Sequence, residues 1–222
     1  MKIIARIHND FDSKFGIPRQ SNVVQELKGR IVFEPEFRNE AALRGIEGFD
    51  YLWLIWQFSE AVRDKWSPTV RPPILGGNTR VGVFATRSPF RPNPIGLSSV
   101  KLERVELHTP DGPVLHISGA DLMNGTPILD IKPYLAYVDS HPEAAQGFRG
   151  QGWQRKLQVD FPPELLALIP GEKQAGLLGV LENDPRPTYQ EDAQRIYGMS
   201  FGGWEIKFRV AEGRLYVLSL DK

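Results

Sequence analysis

The 222 residues suffice for one medium domain, or for one domain and a small appendage. Hydrophobic residues make up 41% and charged residues 24%, an ordinary globular balance, and no apolar run approaches the ~20 residues of a bilayer-spanning helix. The net charge of zero argues against a generally basic nucleic-acid binder, and the absence of cysteine excludes disulfides, thiolate metal sites and a cysteine nucleophile.

Residues 2–8 (KIIARIH) read as a first strand, because Lys2 and Arg6 interrupt the apolar stretch that a signal peptide needs. The following NDFDSKFGIPRQ is a polar loop ending in Pro18, Arg19 and Gln20, on residue type a surface turn. Residues 30–33 form a short strand, and 39–44 a short helix capped by Asn39. The nearly continuous apolar run at 50–58 (DYLWLIWQF) predicts a strand buried on both faces, with a buried helix as the alternative at this length. Its two tryptophans are expected in the core. At 71–78, Pro72-Pro73 holds the chain extended and Gly76-Gly77 releases it.

Residues 82–98 read GVFATRSPFRPNPIGLS. Val81, Val83 and Ala85 alternate with Gly82, Phe84 and Thr86, as in a strand entering a sheet. Pro89, Pro92 and Pro94 then fix their own backbones and push Ser88, Arg91 and Asn93 out of the helical region. The expected result is a stiff, extended loop holding Arg87 and Arg91 about 13 Å apart. Gly96 lets the chain turn or approach a neighbour closely before a strand starts at Leu97. Such a loop suits an anionic ligand; a Pro-rich turn with surface arginines is the plainer alternative. Six cations against one anion between residues 71 and 104 give a local charge of +5 on a neutral chain, which fits transient contact with a polyanion.

Further on, Val100, Leu102 and Val105 anchor a strand, Pro110-Asp111-Gly112 makes a turn, and residues 114–117 return. Residues 140–152 are small, polar and glycine-rich, and read as a linker. A smaller unit follows, with a strand at 157–161, a helix starting within 163–169 and an amphipathic helix at 175–181. Strands at 205–210 and 215–220 flank Ala211-Glu212-Gly213-Arg214 as a hairpin. Residues 184–189 (DPRPTY) form a second rigid loop that carries an arginine and an aromatic.

Residues 82–93 resemble, over its full length, the signature of the TsaA/TrmO family, roughly G-(A/V)-F-x-x-R-(S/A)-x-x-R-P-N. A second similar block runs from Asp121-Leu122-Met123-Asn124-Gly125-Thr126-Pro127 to Asp130-Ile131-Lys132-Pro133-Tyr134, and the resemblance covers nearly the whole chain. It implies an S-adenosylmethionine-dependent methyltransferase of the tRNA anticodon loop, cytoplasmic and homodimeric, with the cofactor near the subunit contact. The implied fold is mainly β: a single-sheet antiparallel β-barrel over residues 1–142 and a small α+β domain over 153–222. Carried over by position, the cofactor contacts are Pro18, Arg19, Gln20, Ser59, Glu60, Arg87, Leu97, Asp121, Leu122, Met123 and Asn124. Arg91 is assigned to a tRNA phosphate or to loop structure, and Arg186 and Tyr189 to RNA. Two departures stand out: Ser59-Glu60 occupies a place where other members carry pairs such as histidine-glutamine, and Asn124 replaces a carboxylate.

Methyl transfer from a sulfonium needs positioning, a neutral nucleophile and an outlet for one proton, but no metal. Arg87 suits the cofactor carboxylate, and Leu97, Leu122 and Met123 suit its adenine. No G-x-G-x-x-G follows a predicted strand, no P-loop string occurs, and the four histidines lack H-E-x-x-H spacing. No general base stands out among Asp121, Asp130, Asp139 and Tyr134; none is required if an acyl substituent already acidifies the acceptor nitrogen. The expected reaction is methylation of N6 of threonylcarbamoyladenosine just 3′ of the anticodon. A non-catalytic RNA-binding barrel is the alternative that the two departures keep open. An S-adenosylmethionine enzyme with another small substrate is a third reading.

Overall fold

The computed structural model describes residues 1–62, 65–150, 156–187 and 192–222. The first part contributes strands β1 (Ala5–His8), β2 (Lys28–Phe33), β3 (Tyr51–Gln57), β4 (Thr69–Val70), β5 (Val81–Gly82), β6 (Ile95–Glu106), β7 (Val114–Ser118) and β8 (Pro127–Pro133). Six of them close into an antiparallel barrel in the order β1-β2-β7-β6-β3-β8, so no strand is left with an open edge. β4 and β5 pair only with each other. Ala5, Ile7, Ile31, Leu52, Leu54, Val100, Leu115, Ile117 and Ile128 fill the interior.

Three sequence expectations change here. β3 is buried on one face, not both: Leu52, Leu54 and Trp56 point inward, while Tyr51 and Trp53 lie outside against Tyr134, with ring centroids 6.2 and 5.3 Å away. Period-two alternation was masked by aromatic residues on the outer face. The strand expected at 81–85 is only two residues long and gives way to a 3-10 turn at Val83–Ala85. There Thr86 closes the turn, donating from its backbone nitrogen (3.1 Å) and its hydroxyl (2.8 Å) to the Val83 carbonyl. The loop beyond is likewise bent and not extended, since the Arg91 nitrogen donates to Pro89 O (2.9 Å) and the Arg91 guanidinium reaches back to Thr86 O (2.8 Å).

After a short helix α1 (Ala136–Asp139), the second part comprises β9 (Gln158–Asp160), α2 (Pro163–Leu166), α3 (Gly171–Glu182), β10 (Tyr197–Phe201), β11 (Trp204–Ala211) and β12 (Arg214–Asp221). Its sheet runs β10-β11-β12-β9, with β9 parallel to β12. The β11–β12 turn places Glu212 and Gly213 at φ 52° and 77°, the left-handed pair that matches strand twist. α3 starts four residues earlier than the expected 175 because Pro170, locked near a helical φ, precedes Gly171 at its start. The stretch read as a linker contains a 3-10 turn at Gly147–Gly150 and continues into 151–155, outside the described residues.

The connection between β1 and β2 joins the two parts. Residues 9–20 of it read as a polar surface turn, yet Phe11 is buried in the second core, together with Val24 and Leu27 further along, beside Leu177, Val180, Met199, Phe201 and Phe208. Phe11 is 2% exposed and meets Phe201 edge-on, with centroids 5.4 Å apart. Polar groups fasten the same connection at both ends. Lys173 Nζ lies 2.5 Å from Asp10 Oδ1, the Gly202 nitrogen donates to Asp10 O at 2.8 Å, and Asn22 Nδ2 donates to Ser99 O at 3.0 Å. Gly179 in α3 admits Val24, whose Cγ1 lies 2.5 Å from where a Cβ would sit. Truncating Phe11 to alanine leaves a cavity in this shared core and should lower unfolding free energy by about 3–5 kcal/mol. Urea denaturation checks this; a loss under 1 kcal/mol would show that the connection is not part of the second core.

Candidate functional site

The barrel end where β3 stops and β6 begins opens into a cleft of about 730 Å³. Four chain segments line it. The β1–β2 connection brings Lys14, Ile17, Pro18, Arg19 and Gln20; the end of β3 brings Trp56, Phe58, Ser59 and Glu60. The motif loop and the start of β6 supply Thr86, Arg87, Phe90, Arg91, Gly96 and Leu97, and the segment before β8 supplies Asp121, Leu122, Met123 and Thr126.

Strand register explains how a tryptophan, a serine and an aspartate meet. Trp56 pairs with Gly96 across β3 and β6, and a Cβ at position 96 would lie 2.2 Å from the indole Cε2. Only glycine lets the ring lie against that backbone. Indole Nε1 donates to Ser98 Oγ at 3.0 Å, and that hydroxyl donates in turn to Asp121 Oδ1 at 2.6 Å. Burial pushes the Asp121 carboxyl above its ordinary range, against the Ser98 hydrogen bond, amide hydrogen bonds and the positive charge of Arg87.

The cationic part of the lining is tied together. Arg87 Nη1 donates to Gln20 Oε1, and Gln20 Nε2 donates to the Arg19 carbonyl. Arg19 Nη2 donates to Arg186 O in the second domain at 2.7 Å. Lys14 and Glu60 pair at 3.0 Å between the β1–β2 connection and the end of β3. Among the described residues the cleft thus presents four cations and two carboxylates, with apolar surface from Ile17, Trp56, Leu97 and Leu122.

Of the eleven positions assigned to a cofactor, ten line this cleft: Pro18, Arg19, Gln20, Ser59, Glu60, Arg87, Leu97, Asp121, Leu122 and Met123. Asn124 does not. Its Oδ1 accepts from the Asn9 nitrogen (3.3 Å) and its Nδ2 donates to Asp12 (2.9 Å), so it braces the β1–β2 connection. Arg91, assigned to a tRNA phosphate or to loop structure, lines the cleft and is held by the Thr86 carbonyl. The Arg186 guanidinium is forked onto Asp184, with two contacts of 2.8 Å, and its side chain is 13% exposed; what it offers the cleft rim is its carbonyl. Tyr189 lies outside the described residues. Of the base candidates, Asp139 accepts from Trp53 Nε1 and the Leu135 nitrogen, both at 2.9 Å, and Asp130 pairs with Lys132; neither lines the cleft. Trp56, Ser98 and Lys14 were not picked out from the sequence. Trp56 was read only as core, and Ser98 acts through a cross-strand contact that needs the register to be seen.

A partly buried carboxylate and a guanidinium–amide pair lining one cleft, with apolar side chains among them, fit a zwitterionic nucleoside such as S-adenosylmethionine. Asp121 would take the ammonium, Arg87 and Gln20 the carboxylate, and Leu97, Leu122 and Trp56 the adenine.

The fold and cleft define a closed β-barrel protein with a charged, small-molecule-sized cleft at one barrel end. Two family models match the chain: the tRNA-methyltransferase O N-terminal domain over residues 6–140 and the TrmO C-terminal domain over 154–222. The chain is 38% identical to the tRNA (adenine(37)-N6)-methyltransferase of Escherichia coli, across 98% of this chain and 96% of that protein. It is 38% identical to a putative S-adenosylmethionine-dependent methyltransferase, RcsF, of Pseudomonas aeruginosa, across 91% and 88%. A solved structure of TrmO from Pseudomonas aeruginosa superposes with a TM-score of 0.76 at 29% identity, covering 99% of this chain and 97% of that one. The chain belongs to the tRNA-methyltransferase O family.

Asp121 gives a pH test. Because its folded-state pKa is raised, its ionisation costs stability. That loss accrues as pH rises from the unfolded carboxylate range, about 3.9, through the folded value. Asp121→Asn removes the penalty and should gain thermal stability relative to the parent as pH goes from about 4 to about 7.5. A melting-temperature difference that does not change with pH would contradict the burial of an ionising group there.

Proposed function

We propose that this chain is an S-adenosylmethionine-dependent tRNA methyltransferase acting on N6 of threonylcarbamoyladenosine at position 37, cytoplasmic and homodimeric. The observation that carries the reading is the convergence of Gln20, Arg87 and Asp121, from three separate segments, on one cleft beside a basic loop. Full-length similarity to a tRNA (adenine(37)-N6)-methyltransferase supports the acceptor. The bound cofactor supplies an electrophilic methyl group on a sulfonium. The protein's own part is positional: Arg87 and Gln20 fix one end of the ligand, Asp121 the other, and Trp56 and Leu122 exclude water between them. Residues 1–142 carry cofactor binding and catalysis, and residues 153–222 contribute to tRNA contact through the loop that already meets Arg19. A non-catalytic barrel would have no need of a partly buried carboxylate and a guanidinium lining the same cleft, so the enzyme is the reading favoured.

Incubation with labelled S-adenosylmethionine and tRNA with or without the threonylcarbamoyl group tests this directly. Label should pass only to the modified tRNA; equal transfer to both, or transfer to neither, contradicts the assignment. Arg87→Ala removes a charge-assisted contact to the ligand carboxylate and should weaken cofactor binding by about 10- to 100-fold in calorimetric titration. Unchanged affinity would remove Arg87 from the cofactor site.

A further inference from the structure

Outside the cleft, two large aromatic rings stand in solvent next to each other. Phe84 is 71% exposed and Trp66 is 51% exposed, although such side chains are usually covered. Their placement follows from the β4–β5 ribbon. Thr69 pairs with Gly82, Val70 pairs with Val81, and the Val83 nitrogen donates to Pro68 O at 2.9 Å. Extending that antiparallel register sets residue 67 opposite residue 84 and leaves residue 66 one position further along, within reach of the Phe84 ring. The 3-10 turn then buries Val83 and turns its neighbour Phe84 outward. The rings lie 6.1 Å apart with planes 30° from parallel, one continuous π surface.

This surface borders the cleft and carries positive charge. The Arg91 guanidinium, itself on the cleft wall, sits 5.8 Å from the Phe84 ring centroid. Arg80 lies in the same ribbon and donates to Thr69 Oγ1 at 2.9 Å, and Arg71 is exposed just beyond β4. Exposed aromatic faces interleaved with arginines suit single-stranded nucleic acid, in which unpaired bases stack and phosphates meet the cations. A surface for a second protein copy would not call for this excess of positive charge.

We infer that Trp66 and Phe84 form a stacking platform for an unpaired nucleobase next to the methyl acceptor, with Arg80 and Arg71 meeting the phosphates of that loop. The inference rests on the methyltransferase reading and adds which residues hold the RNA loop at the mouth of the cleft.

The test compares the parent chain with Trp66→Ala/Phe84→Ala, using an anticodon stem-loop RNA as probe and titrating across salt. The double variant should bind the RNA about 5- to 100-fold more weakly with an unchanged salt slope, because stacking is lost and no phosphate contact is. Arg80→Ala should instead reduce the slope. Phe84→Tyr with Trp66→Phe should retain affinity, and cofactor binding should hold in every variant. Equal RNA affinity in parent and double variant overturns the platform, as does loss of self-association in the double variant, which would make this face a contact between copies. Methyl transfer by the parent, measured alongside, separates the two readings: transfer with no effect of the double variant sinks the platform alone, and no transfer by the parent sinks the methyltransferase assignment.

Discussion

The burial of Phe11, Val24 and Leu27 in the core of the second domain is the constraint on which the rest depends. A six-stranded barrel needs only a short link between β1 and β2, which are antiparallel neighbours. Here the link runs out to the second domain and back, and its turning region delivers Ile17, Pro18, Arg19 and Gln20 to the barrel end. A long connection with no regular structure would ordinarily be mobile. This one is held by three buried side chains, the Asp10–Lys173 pair and the Asn22 contacts to β6. The second domain therefore supports the cleft, whatever else it touches.

Pinned at both ends, the connection can form a wall. Gln20 accepts from Arg87, and Arg19 is tied to the second domain through Arg186 O, so the motif loop, the connection and the second domain meet in one chain of hydrogen bonds. To the same cleft the barrel contributes Asp121, oriented by Ser98 and, through it, by Trp56. A buried carboxylate is costly, and the hydroxyl and the nearby guanidinium offset part of that cost. Charges of both signs thus line the same cleft, which suits a ligand that carries both signs.

Barrel strands other than β3 were legible where inward residues alternate and turns carry glycine and proline, as at Pro110-Asp111-Gly112, and the same turn chemistry marks the second domain's hairpin at Glu212-Gly213. Most cleft residues were legible too, through family signature strings and not through any physical pattern in Pro18-Arg19-Gln20 or Asp121-Leu122-Met123. What stayed hidden depends on long-range contact. Phe11 sits among polar neighbours and gives no periodic signal of burial. Ser98 becomes meaningful only once register sets it beside Trp56 and Asp121. Val83 to Ala85 alternate like a strand, but local hydrogen bonds from Thr86 satisfy the Val83 carbonyl and turn the chain away. Asn124, which departs from the family pattern, proves to be a brace for the connection, so its change of charge falls outside the cleft.

The most direct measurement of this account is amide hydrogen exchange of the whole chain with and without S-adenosylmethionine. If the connection, the motif loop and the segment before β8 form one site, residues 14–20, 86–97 and 120–123 should gain protection together, at one cofactor concentration dependence. Protection confined to the barrel segments, with 14–20 exchanging as in the free protein, would contradict a cleft completed by the connection that the second domain holds in place.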